Sequence, residues 1–485
     1  MIDGLILFFY LAFVLFLGWK FSDKNQNIED YSVSKGKIPT WALGLSFYAT
    51  FLSAITFLGD PGRSFMTNWN AFAFSLSIPF AAYFANKYFI PFYKSQSSPS
   101  AYGHLEKRFG RWATIYPMVC FILTQLARMG TIFFAMSLVI HRFTNWNIEV
   151  IMIIIAGTII FYSFLGGIRA IIWTEVAQSI IKTLGAIIIL AIIFTKVDFN
   201  QIIDIAKENN KFSLGSFDLD FGKSSFWTVF LYGFFINLTN FGVDQNYIQR
   251  YHTAPNNQEA AKSVWAVAYY YIPVSFLFFF IGTSLYGYYS VNPDELIALK
   301  QEYGADGIGD KVLPDFIQNH VPMGFKGLII AALLSAGMSA ISNGINSSAT
   351  IIMNDFVRNK FNSPEKKLKA IRLISLIIGL MGLGFGLLMI GIKSILETWW
   401  ILSGIFASGM LGLFLLAIMN KNIGPRTAII STLVGIISVV YLSIQSFLPK
   451  ECQFSLDPKL SIVAGTVLMV LIGKFISMLF KGKKK

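Results

Sequence analysis

Long apolar runs follow one another along this chain, each roughly 20 residues and each closed by a polar, glycine or proline cluster. They predict helices over residues 3–21, 41–65, 69–93, 113–142, 147–165, 170–195, 225–242, 260–288, 323–354, 369–393, 396–419, 425–447 and 459–480. The outcome is an all-α membrane protein with about 13 transmembrane helices. Composition agrees: of 485 residues, 55% are hydrophobic and only 13% charged, about half the charged share of a soluble domain. A single soluble core is excluded. The first run leads into Lys20 and Lys24 without a small-residue cleavage site, so it is expected to stay as a helix rather than be removed as a signal.

An odd number of spans puts the termini on opposite sides. Loops 20–40, 94–112, 166–169, 243–262, 355–372, 420–426 and 481–485 hold about 23 Lys and Arg, and the alternate set about 9. The rich set is expected in the cytoplasm of a plasma (inner) membrane protein, with the N-terminus outside and the C-terminus, ending Lys483-Lys484-Lys485, inside. Arg358, Lys360, Lys366, Lys367 and Lys369 belong to the same anchoring pattern. The net charge of +13 is therefore a topology signal, and no nucleic-acid partner is expected.

Enzymatic chemistry has no footing in the pattern. Cys120 and Cys452 form no C-x-x-C or Cys/His spacing for zinc or haem. His104, His141, His252 and His320 fall in loops or at span ends without paired carboxylates, and no G-x-x-x-x-G-K-[ST] is present. The Gly382-Leu383-Gly384-Phe385-Gly386 run reads as close helix packing. Channel architecture would need a filter loop or rings of charge, and neither is evident.

The informative residues are the polar ones at bilayer depth, where a central Arg or Asp costs about 2.5 to 3.5 kcal/mol. They are Arg128, Glu175, the run Ser335–Ser348 with Ser339, Ser342, Asn343 and Asn346, and Asn237 and Asn240. The second span carries Thr50, Ser53 and Thr56 in its middle and a Gly59-Asp60-Pro61-Gly62 break after them. The seventh, with Asn237, Asn240 and Gly242, has the same character. Unwound backbone leaves carbonyl oxygens that can hold a cation when they line a cavity. Two interrupted helices at matching places in successive blocks are the pattern of an inverted repeat with its solute at the midplane. Asp60 and Arg63 read as an intrahelical ion pair. Ser339 and Ser342 share one helix face, with Ala336 a turn before them. Two roles are open to Glu175: a carboxylate or protonatable group facing that strip, or a buried couple with Arg128 or Lys182.

The segment Gly166-Gly167-Ile168-Arg169-Ala170-Ile171-Ile172-Trp173-Thr174-Glu175-Val176-Ala177-Gln178 resembles the G-G-x-x-A-x-x-W-T-D-x-x-Q signature of the sodium:solute symporter family, a branch of the LeuT-fold transporters. Ser53–Leu58, Gln249-Arg250-Tyr251, Ala336–Ser347 with Asp355, and Gly412–Leu416 resemble further family blocks in order and spacing. The resemblance implies a LeuT-like 5+5 inverted repeat in one transporter domain spanning 1–485. Residues 41–195 form the first repeat, 225–419 the second, and 3–21 and 425–480 are peripheral helices.

Carried over residue by residue, the family's principal sodium site corresponds to backbone oxygens of Ala49, Leu52 and Ala336 and the hydroxyl of Ser339. Its second serine is Ala340 here, so Ser335 or Ser53 is a candidate to complete the shell. A further sodium site of some members corresponds to Glu175, Ser339, Ser342 and Asn343, with Glu replacing Asp and Asn the last Ser. The sialic-acid-transporting branch is similar in placing an arginine where Arg128 stands, to take a substrate carboxylate. Its other polar contacts match Ser53 and Thr56, while Phe51 and Ser75 replace a Thr and a Gln. Ser53, Thr56, Ser75, Arg128 and Phe241 are the expected solute contacts. The resemblance implies sodium-coupled import of a small organic solute, an anion such as a sialic acid or another carboxylate. Sodium- or proton-coupled carriage of a neutral sugar, monocarboxylate, vitamin or inorganic anion is the alternative.

Overall fold

Inside hydrocarbon every backbone N–H and C=O must be satisfied within its own segment, and each predicted run is accordingly helical. The computed structural model describes all residues except 1, 22–30, 35, 97–99, 166, 305–306, 358–359, 362, 420–422, 446–447, 450, 452 and 482–485. Gly166, Arg358, Cys452 and Lys483 to Lys485 thus lie outside the described residues.

In chain order the principal helices are α1 (Ile2–Lys20), α2 (Thr40–Phe51), α3 (Ala54–Met66), α4 (Trp112–Thr144), α5 (Ile148–Leu165), α6 (Ile168–Lys196), α7 (Phe226–Val243), α8 (Gln245–Thr253), α9 (Asn257–Val291), α10 (Phe325–Ile352), α11 (Pro364–Leu388), α12 (Ile395–Met419), α13 (Pro425–Ile444) and α14 (Ser461–Lys481). Among the described residues, 10 helices are long and apolar enough to cross a bilayer, and the bent pair α2 and α3 makes an eleventh. The two remaining expected spans are the shorter α5 and a train of short helices between Trp69 and Lys94.

Burial separates centre from rim. The apolar stretch containing α10 is 94% buried, that of α1 only 17%. α10 can sit at the centre because Ala, Ser and Gly dominate it, letting neighbours approach from every side. A Cβ on Gly185 of α6 would come within 2.4 Å of the Ala332 Cβ of α10, so these two helices meet at near-backbone contact. Phe8, Phe9 and Trp19 of α1, Leu388 of α11 and Ile437 of α13 are exposed, as side chains facing acyl tails would be.

Both helix breaks are present, displaced from where the residue types pointed. α2 and α3 meet at a 54° bend at Leu52-Ser53. The helix then continues through Gly59, Asp60, Pro61 and Gly62. Those glycines serve packing instead: a Cβ on Gly59 would lie 2.9 Å from the Leu396 Cβ, and one on Gly62 2.6 Å from the Gly309 carbonyl oxygen. Likewise Asn237 to Gly242 is helical, and the second break is the extended Asp244 between α7 and α8. Asp244 caps α8, its Oδ1 accepting from the Asn246 N–H at 2.7 Å.

The expected Asp60–Arg63 pair is not formed. Arg63 reaches α12 and binds Glu397 at 2.7 Å, both at the half-exposed rim. Asp60 is buried one turn deeper, and a guanidinium keeps more hydration at the rim than beside it.

Candidate functional site

The two breaks face one cavity. Phe51, Ser53, Ile55, Thr56 and Asp60 line it from the first; Ile236, Thr239, Asn240, Asp244 and Tyr247 line it from the second. α4 contributes Thr124, Gln125 and Arg128, and α12 contributes Trp399, Trp400 and Ser403. Aromatic rings close the inner wall, with Phe51 5.3 Å from Tyr247 and 5.5 Å from Tyr271.

Arg128 is the cation of this cavity. One terminal nitrogen donates to the Thr50 carbonyl, freed by the end of α2, and its guanidinium carbon lies 5.9 Å from the Trp399 ring. Two carboxylates share the space: Asp244, within 3.5 Å of the Gln125 amide, and Asp60, which makes no ion pair among the described residues. Of the five expected solute contacts, Ser53, Thr56, Ser75 and Arg128 line the cavity, with the Ser75 hydroxyl 2.8 Å from that of Ser275. Phe241 does not. It stands behind the wall, packed on Phe51 and Tyr247 at 5.7 Å each.

The expected cation ligands fall into two groups along α6, and in each a side-chain cation of the chain itself is present. At the first break, Lys182 Nζ donates to the Ala49 and Leu52 carbonyls, 2.9 Å from each. The other expected oxygens of that site lie on α10, where the Ser339 hydroxyl donates to the Ala336 carbonyl at 3.2 Å and the Ser342 hydroxyl to the Ser339 carbonyl at 3.1 Å. The candidate fillers Ser335 and Ser53 differ in setting: Ser335 donates to Ala331 at 2.8 Å, and Ser53 lines the solute cavity. A sodium ion does not fit on Ala49 and Leu52 with an ammonium already in hydrogen-bond contact with both.

The second group centres on Glu175. Its partner is neither Arg128 nor Lys182 but Arg250 of α8, whose terminal nitrogen lies 2.9 and 3.1 Å from the two carboxylate oxygens. Ser46 and Asn343 also donate to Glu175, and the Asn343 Oδ1 accepts from Arg250 at 2.9 Å. The reason Arg250 wins is placement: the turn at Asp244 carries α8 back across α2, and Arg250 Nε binds the Ser46 hydroxyl at 2.8 Å on the way.

Lys182, Arg250, Asp244 and Trp399 are the functional-site residues that residue types alone did not assign. Lys182 interrupts an apolar run and Arg250 lies in a family block, so both carried a signal; their partners did not.

Along nearly its whole length the chain is similar to known membrane transporters. The sodium/sialic acid symporter NanT of Aliivibrio fischeri is 28% identical over 99% of this chain and 94% of its own. The sodium/sialic acid symporter SiaT of Proteus mirabilis is 30% identical over 90% and 89%. The substrate-bound, outward-open structure of a Na+-coupled sialic acid symporter, reported with a novel Na+ site, superposes with a TM-score of 0.89 at 27% identity, covering 99% of this chain and 98% of that one. The sodium:solute symporter family itself matches residues 31–435. This chain, a multi-pass membrane transporter and not an enzyme, belongs to the sodium:solute symporter family.

Proposed function

We propose that the chain is a secondary symporter that carries a small organic anion into the cell by alternating access, with sodium, the ion in its relatives' names, as the coupling ion. The observation that carries this reading is Arg128, a guanidinium buried in the cavity between two helix breaks, its carbon 5.9 Å from the Trp399 ring. Such a fork binds a carboxylate with two parallel charge-assisted hydrogen bonds, which a chloride or neutral sugar cannot supply. Asp60 and Asp244 favour a solute whose remaining groups donate hydrogen bonds, such as hydroxyls or an amide N–H. A sialic acid, named for the relatives, combines one carboxylate with several such donors.

Transport then needs the cavity to open to each side in turn. α4 and α12 carry solute-facing residues beside the two breaks, and rocking of one set of helices against the other exchanges the open face. The ion gradient supplies the work, about 2.3 kcal/mol per charge for each 100 mV and about 1.4 kcal/mol per tenfold concentration ratio. The proposed orientation in the plasma (inner) membrane has the N-terminus outside and the C-terminus in the cytoplasm, following the Lys and Arg distribution.

A thermal-shift screen of the purified protein, with sialic acids, short carboxylates and neutral sugars in sodium and in potassium, tests the reading. Stabilisation by carboxylate-bearing solutes alone is expected; stabilisation by neutral sugars alone would overturn it.

A further inference from the structure

We infer that Lys182 is the resident cation of the first helix break: its tethered ammonium stands on the Ala49 and Leu52 carbonyls, so this position takes no free sodium ion.

α2 ends at Phe51 and the chain turns at Leu52, which deprives the last carbonyls of the helix of their intrahelical donors. Away from water such oxygens need another partner, and orphaned carbonyls gathered at a break are what a bare cation would seek. Lys182 already meets that need. Its Nζ is 2.9 Å from both oxygens, and the side chain is wholly buried.

Its attachment is firm. On either side of Lys182, α6 is bonded to α2: the Ser179 hydroxyl reaches the Leu45 carbonyl at 3.2 Å, and the Thr183 and Tyr48 hydroxyls are 2.8 Å apart. One turn further, Gly185 allows α6 to touch α10 at Ala332, a turn before Ala336. The ammonium is thus delivered into the angle between α2 and α10 at a fixed depth. A sodium ion would have to share two carbonyls with a charge of the same sign, in a site too poor in water to screen the repulsion.

On α10 itself, residue 340 is an alanine, which offers no hydroxyl to a metal. A tethered ammonium needs fewer oxygens than a naked ion, since its three N–H groups fix its own coordination. The inference rests on the symporter reading and changes which cation stands at the break; the coupling ion of the cycle binds elsewhere than on these two carbonyls.

Binding of radiolabelled sodium to the purified full-length protein tests it, in wild type, Lys182→Ala and Lys182→Ala/Ser339→Ala. Lys182→Ala is expected to bind one more equivalent of sodium than wild type and to gain more thermal stability from sodium over potassium. Adding Ser339→Ala should weaken that extra site by about tenfold, one ligand's worth at roughly 1.4 kcal/mol. Equal sodium counts in wild type and a folded Lys182→Ala would overturn the inference. Should the variant not fold, wild-type crystals soaked in thallium(I) decide it: anomalous density between the Ala49 and Leu52 carbonyls contradicts it, and none there supports it. Solute uptake is scored separately, so equal counts with intact uptake defeat only this inference, whereas no uptake of any organic anion by wild type defeats the symporter reading.

Discussion

Arg250 holds Glu175 through one terminal nitrogen, 2.9 and 3.1 Å from its two oxygens, and neither side chain is more than 1% exposed. The pair ties α8, beyond the second break, to α6, and Ser46 adds α2, before the first. A charge at this depth is tolerated only with its partner in place. Glu175→Gln should therefore destabilise the protein by about 3–5 kcal/mol, read as a large fall in thermal midpoint in detergent. Replacing both groups, Glu175→Leu with Arg250→Met, should recover more than half of that loss. A double variant as unstable as the single one would show that the pair is not what holds the three helices together.

Arg128→Ala should abolish saturable uptake of a carboxylate solute while leaving membrane expression intact. A charge-assisted pair in a desolvated site is worth about 2–5 kcal/mol, so affinity should fall by about 30-fold or more. Arg128→Lys, with charge but no planar fork, should fall between the two. Competition binding on purified protein measures it, and unchanged affinity in Arg128→Ala would remove the residue from the solute site.

The proposed orientation is read with single cysteines in a background lacking Cys120 and Cys452. Positions in loop 196–224 should react with an impermeant maleimide added outside intact cells, and positions in loop 94–112 only after the membrane is opened. The reverse pattern would invert the topology.

Outside the spans, Asp310 links the Gly309–His320 helix to α12, its Oδ2 accepting from the Ile395 N–H at 2.6 Å. Burial is the main cause that pushes its carboxyl up to about 6, and the Ile395 N–H only partly offsets it. A folded-state value above the unfolded one means the native protein holds the proton more tightly, so this group's contribution favours folding at low pH and declines as pH rises from about 4 through 6. Asp310→Asn should flatten that part of the stability profile. A thermal midpoint with the same slope between these pH values in wild type and variant would contradict the assignment.

The helices and the cavity were legible in the sequence for the same reason: lipid tolerates a polar side chain only where protein or solute receives it. Ser53, Thr56 and Arg128 stood out against apolar neighbours, Ser75 came from the family resemblance alone, and all four share one cavity. Phe241 could not be sorted, because an aromatic ring in a span reads alike whether it lines the cavity or packs behind the wall. The breaks were recognisable as events but not as positions. Gly59, Pro61 and Gly62 have the chemistry of an interruption, yet close approach to α12 and to Gly309 uses the same small residues. The real bend at Leu52-Ser53 has neither Gly nor Pro. A lysine from α6 bonds the Ala49 and Leu52 carbonyls there, a contact that only the folded chain reveals.

Accumulation of a labelled sialic acid in proteoliposomes tests the central claim most directly. With sodium high outside and low inside, the internal solute should rise above the external level, saturate with solute, and fall back when the gradient is dissipated by an ionophore. Entry that never exceeds the external concentration, or proceeds equally without any ion gradient, would contradict coupled transport by this protein.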